Sequence, residues 1–290
     1  MKRFSLLVFF FNLGAQVITN AQTLDQIVGA IELESPINHS LKIVLDPMAR
    51  TITVEDTISI PAQLRENSAV FELNSNLTIT ENSGDLEQLS NNAPSRFGLN
   101  VTGGLAAGTN SYSISALSMN NEQVRLVYSG SIYDEAAQNS EEYSQSFSET
   151  SGIIGEQGVY LNYGSAWFPL FDDALVTFDM EIQFVDNASS WKAVSQGDRN
   201  GDNAWVNRDP MEEIYLIAAN FTEYSVQSDD VEVLAYLRAP DSNLATKYMD
   251  ATERYLKLYE PMLGEYPYSK FALIENFWET GYGMPSFTLL

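Results

Sequence analysis

A single histidine, His39, and the absence of cysteine limit the chemistry this chain can perform alone. A Ser-His-Asp arrangement would have to use His39, and no G-x-S-x-G elbow accompanies it. A zinc site needs more imidazole or thiolate than one histidine provides. His39 precedes a run of strand character and reads as a surface residue. No P-loop and no G-x-G-x-x-G motif occurs. Two adjacent carboxylate pairs, Asp172-Asp173 and Glu212-Glu213, read as solvated surface, because neighbours in a strand point to opposite faces. Asp198, Asn200, Asp202 and Asp209 follow the 1, 3, 5, 12 spacing of a calcium loop. Asn203 stands where that loop needs glycine and Asp209 where it needs glutamate, so the segment reads as a polar turn between strands. Tyr160, Tyr163, Trp167, Trp191 and Trp205 have rings that stack on sugars in other settings, but on a β-protein they read as core.

The elements that would carry these residues are mostly short strands. Residues 41–45 and 51–60 alternate apolar and polar positions around a turn at Asp46-Pro47. Further alternating runs follow, separated by turn signals at residues 82–84, 103–104 and 120–121. This spacing argues for an antiparallel sandwich or saddle. Residues 137–152 are rich in Ser and Glu and read as a loop. The period changes after residue 240. Leu244, Tyr248, Ala251, Tyr255, Leu258, Tyr259 and Met262 recur in steps of three and four, which predicts one long helical stripe. Asp241 or Ser242 caps its start and Gly264 its end, with Pro261 in the last turn.

The chain has 290 residues, 44% of them hydrophobic, which suffices for a packed core. Its net charge is −24, so its field repels polyanions and nucleic acid is excluded as a partner class. Met1-Lys2-Arg3 followed by the apolar run Phe4 to Leu13 and a small, polar stretch predicts a secretory signal peptide over residues 1–21. The mature chain is then exported, to a periplasmic or extracellular space. No later segment is apolar enough to span a bilayer.

Four blocks then resemble one family in the correct order. "FPLFDDALVTFDMEIQF" (168–184) resembles the "FPCFDEP…KATF" block of aminopeptidase N-like zinc metallopeptidases. "PMEEIYLIAANFTEY" (210–224) is similar to the strand closing that family's N-terminal β-saddle. "LGEYPYSKFALIE" (263–275) resembles the block that opens its catalytic domain. "GYGMPSFTLL" (281–290) resembles a diverged "GAMENWGLIT" strand, which pairs with the backbone of the substrate peptide. The family's H-E-x-x-H zinc motif lies downstream of that strand. The resemblance therefore implies a mainly β chain with a β-saddle over residues 22–228. Residues 229–290 would begin an α+β catalytic domain, as a short sheet plus one helix.

By the same resemblance the full-length protein is a zinc-dependent peptidase acting on peptide substrates, with its zinc ligands outside this sequence. Gly281, Tyr282, Gly283, Met284, Pro285 and Ser286 form the wall that contacts substrate. Pro285 replaces the family's amine-binding glutamate and Ser286 its asparagine, so strict dependence on a free amino terminus is not expected. Glu275 and Glu279 lie nearby, where a structural role is expected. The alternative is a non-catalytic β-sandwich module that binds glycan or a protein partner at the cell envelope.

Overall fold

A computed structural model describes residues 35–65, 68–89, 108–115, 122–138, 148–172 and 174–290. The predicted signal peptide lies outside them. Residues 35–290 form one compact unit.

The fold is mainly β. Its largest sheet has seven strands, in the order Asp198–Arg199, Ala204–Met211, Val176–Phe184, Ile37–Asp46, Thr51–Ser59, Gln123–Ser131, Leu77–Asn82. The first long strand shows why it forms: Ile37, His39, Leu41, Ile43 and Leu45 all face inward while their neighbours face out. A period of two places one apolar row against the core. Most pairings are antiparallel, as expected, but Ile37–Asp46 runs parallel to Val176–Phe184.

Two four-stranded sheets face this core. One runs Ile153–Gly155, Gly158–Leu161, Leu216–Ala219, Lys192–Val194, and the other Leu170–Phe171, Ala69–Asn74, Thr109–Ile114, Leu86–Gln88. Trp167 and Trp205 are fully buried between layers. Each indole nitrogen finds a backbone carbonyl, Ile214 at 3.1 Å and Ala193 at 3.0 Å. Burying such rings contributes about 2–3 kcal/mol each, provided the N–H is satisfied.

His39 corrects the sequence reading. It is not a surface residue but lies at 0% exposure, with Nδ1 at 2.8 Å from Asp56 Oδ2. Asp56 sits on the adjacent strand and Tyr128 on the strand after that, all on the inner face. Burial pushes the Asp56 carboxyl above its usual range, with the His39 interaction pulling the other way. Asp56 Oδ1, His39 Nε2 and the Tyr128 hydroxyl have no hydrogen-bond partner among the described residues. The strand begins at Ile37 rather than after His39, so alternation along it turns His39 inward.

A separate five-stranded sheet closes the described chain. Its order is Thr222–Ser228, Val231–Leu237, Lys270–Ile274, Phe287–Leu289, Tyr282–Met284. The expected domain boundary near Ser228 falls in the turn between its first two strands. The long helix spans Ser242–Leu263, with Asp241 Oδ1 accepting from the Asn243 and Leu244 backbone N–H groups, and Gly264 at φ 94° after its end. Both predicted caps are present. The helix buries Ala245, Met249 and Thr252, and its N-terminal half packs on Val231–Leu237. The C-terminal part of the predicted stripe is not covered: Tyr255, Leu258, Tyr259 and Met262 are exposed. No helix among the described residues is long and apolar enough to cross a membrane.

Candidate functional site

The terminal hairpin puts the six candidate residues at the edge of the five-stranded sheet. Tyr282–Met284 pairs antiparallel with Phe287–Leu289, matching Tyr282 with Leu289, Gly283 with Thr288 and Met284 with Phe287. On its other side Tyr282–Met284 has no partner strand among the described residues. Gly281 precedes this strand and is exposed. Pro285 and Ser286 form the turn.

The direction of each backbone group follows from the ladder. Ala272 N–H donates to Ser286 O at 3.1 Å, and Leu290 N–H donates to Ile274 O at 2.9 Å. Even-numbered residues of the last strand thus bond inward to Lys270–Ile274, leaving Phe287 and Leu289 to bond Met284 and Tyr282. Alternation then turns the N–H and C=O of Gly283 to the outer edge. A Cβ placed on Gly283 or Gly281 meets nothing within 4 Å. Packing does not demand glycine at either position, and the space beside them is open.

An aromatic group backs this edge. The Tyr282 ring lies 6.3 Å from that of Tyr160, and Trp278 meets Tyr160 edge-on at 5.2 Å. Phe277 packs edge-on to Trp278 at 4.5 Å and lies directly over Gly158, where a Cβ would be 2.3 Å from its Cδ1. Glycine is therefore required at 158 for close approach. Tyr215 meets Phe287 edge-on at 5.8 Å. The core reading of Tyr160, Trp167, Trp191 and Trp205 agrees with their burial.

Two residues were misread or missed from sequence. Glu213 is half-buried rather than on a solvated face: it accepts from the Tyr163 N–H at 2.9 Å and from the Tyr215 hydroxyl. Burial pushes its carboxyl up, against the pull of those two donors. Glu212 stays exposed, so the pair diverges as expected, although residues 213–215 are not strand. Lys270 is 2% exposed, and its Nζ donates to Ser286 Oγ at 2.7 Å. Burial pulls its pKa down to about 7, with Asp198 and Glu232 opposing and Arg199 assisting. A lysine opening the otherwise apolar strand Lys270–Ile274 was the available signal.

The remaining candidates resolve simply. Residues 198–209 make a hairpin between Asp198–Arg199 and Ala204–Met211. Asn203 turns it at φ 53°, while its side chain accepts from Ala193 N–H and donates to Trp191 O. Asp198 accepts from the Ser269 hydroxyl. Glu275 accepts from the Arg238 backbone N–H at 2.8 Å, a structural tie between strand ends. Glu279 is exposed. Among the described residues no cluster of three or more His, Cys, Asp or Glu can hold a metal ion. With the chain's only histidine buried against Asp56, the donor set of the described residues does not fit zinc.

No known protein-family profile and no curated protein sequence matches the chain. Solved structures do. An aminopeptidase N family protein from Idiomarina loihiensis superposes with TM-score 0.53 at 11% identity, covering 87% of this chain and 41% of that one. Yeast LTA4 hydrolase gives 0.60 at 12%, covering 88% and 40%. An M1 zinc metallopeptidase from Deinococcus radiodurans gives 0.55 at 13%, covering 87% and 58%. At such identities the similarity is one of fold. The chain spans between 40% and 58% of the length of these structures.

Proposed function

We propose that this chain is the N-terminal region of an exported, zinc-dependent peptidase and supplies one wall of its substrate cleft. The observation that carries the reading is the free edge at Gly283. Its N–H and C=O face outward beside open space, the geometry an extended peptide needs to add as a further strand. The fold likeness supports the same reading, and one neighbour, the Deinococcus enzyme, was solved with a Tyr-Ser-Ala substrate. Zinc ligands and the groups that activate water would come from outside this sequence. The described residues bind and orient backbone. With Pro285 in place of a carboxylate, the turn offers no anion to a substrate ammonium.

The test uses the full-length protein. Its coding sequence beyond Leu290 is read for H-E-x-x-H with a distal glutamate, and hydrolysis of free and N-acetylated peptides is compared. Similar cleavage of both supports the reading. Cleavage of the free form alone refutes the specificity, and a stop codon directly after Leu290 favours the non-catalytic module. Gly283→Pro removes the outward N–H without touching the inner ladder, so it should weaken peptide binding about tenfold or more. Unchanged binding would overturn the strand-pairing role. Export is checked by the mature N-terminus, expected near Gln22.

A further inference from the structure

The turn that carries the edge strand does not stabilise itself. Met284 pairs with Phe287, so Pro285 and Ser286 form a two-residue loop. Proline fixes a negative φ near −65°, and Ser286 has φ 66°. Those signs are those of a type II turn, whose second central position favours Gly or Asn. Two-residue hairpins prefer the mirror-image turns, because types I and II oppose the twist of the strands. A serine held left-handed in such a turn needs outside support.

Two residues of one neighbouring strand provide it. Ala272 N–H bonds the Ser286 carbonyl at 3.1 Å, and Lys270 Nζ bonds the Ser286 hydroxyl at 2.7 Å. Lys270 Nζ lies 4.9 Å from the Trp205 ring centre and 5.7 Å from that of Phe287. Both are within the range of cation–π attraction. Among the described residues it makes no ion pair with a carboxylate. A buried amine with rings beside it and one hydroxyl to bond points its hydrogen-bonding capacity at Ser286.

We propose that Lys270 is the positioning residue of the edge strand: it clamps Ser286 in its left-handed conformation, closes the turn, and so holds the outer edge of Tyr282–Met284 extended for an incoming peptide. The last clause rests on the proposed function; the clamp itself does not.

Hydrogen exchange separates the two. It is followed for amides 282–289, with amides 231–237 as an internal reference, in Lys270→Met, Ser286→Gly and the double variant. Lys270→Met should speed exchange at 282–289 about tenfold with little change at 231–237. Glycine needs no support at positive φ, so Ser286→Gly should keep protection, and Lys270→Met should have little added effect in that background. Equal acceleration of both regions, or a full Lys270→Met effect in the Ser286→Gly background, overturns the clamp. If Lys270→Met does not fold, Ser286→Ala replaces it, since it deletes the same bond. Peptide binding to the full-length protein is the second arm. Failure of the wild type to bind sinks the peptidase reading and leaves the clamp, whereas binding unaltered by clamp-breaking variants sinks the positioning role.

Discussion

His39, Asp56 and Tyr128 lie on three adjacent strands and leave three polar atoms without hydrogen-bond partners among the described residues. The cost of an orphaned buried group exceeds what a single satisfied bond contributes. Tyr128→Phe removes one orphan and keeps the ring, so urea unfolding should change by no more than about 1 kcal/mol, in either direction. Asp56→Ala strands His39 and should cost about 3 kcal/mol or more. Equal effects would show that the cluster is not a coupled polar unit. Lys270 makes a pH prediction. Its folded pKa of about 7 is below the ordinary 10.5, so between these values the unfolded chain binds more protons. Stability from this group therefore increases as pH rises from about 7 towards 10.5 and is lost as pH falls through about 7. Lys270→Met should flatten that part of the stability–pH curve relative to wild type; identical curves would contradict the burial of a titrating amine.

Among the elements, the long helix shows what patterning can and cannot determine. Asp241 and Gly264 were legible as caps because capping is local chemistry between near neighbours. Which part of the apolar stripe would be covered was not legible, because cover comes from other elements. Ala245 and Met249 are buried by the Val231–Leu237 strand, while Leu258 and Met262 have no such neighbour among the described residues. The loop leading to the edge strand depends on a contact no local pattern encodes, Phe277 over Gly158. Gly158→Ala should displace that ring, cost about 1–3 kcal/mol, and alter tryptophan fluorescence through the neighbouring Trp278. Neither change would be seen if the loop yields freely.

Across the whole molecule, a net charge of −24 coexists with an uncovered apolar ridge at Tyr255, Leu258, Tyr259, Met262 and Leu263. Self-repulsion keeps copies of the 290-residue chain apart at low salt, and screening shortens its reach to about 10 Å at 0.1 M ionic strength. Self-association should therefore rise with salt, as read by light scattering, and fall when Leu258 and Met262 are both changed to Glu; salt-independent behaviour would place the sticky surface elsewhere. The sequence by itself determined the strand-rich class and the capped helix, since alternation and caps act over a few residues; residues 281–290, which read as one strand, are instead a hairpin that turns at Pro285 and Ser286. Only the tertiary structure decided that His39 is buried, that Glu213 accepts from a tyrosine hydroxyl, and that Lys270 reaches Ser286. Each of those depends on which strands lie side by side, and strand order is set by contacts between residues far apart in the chain.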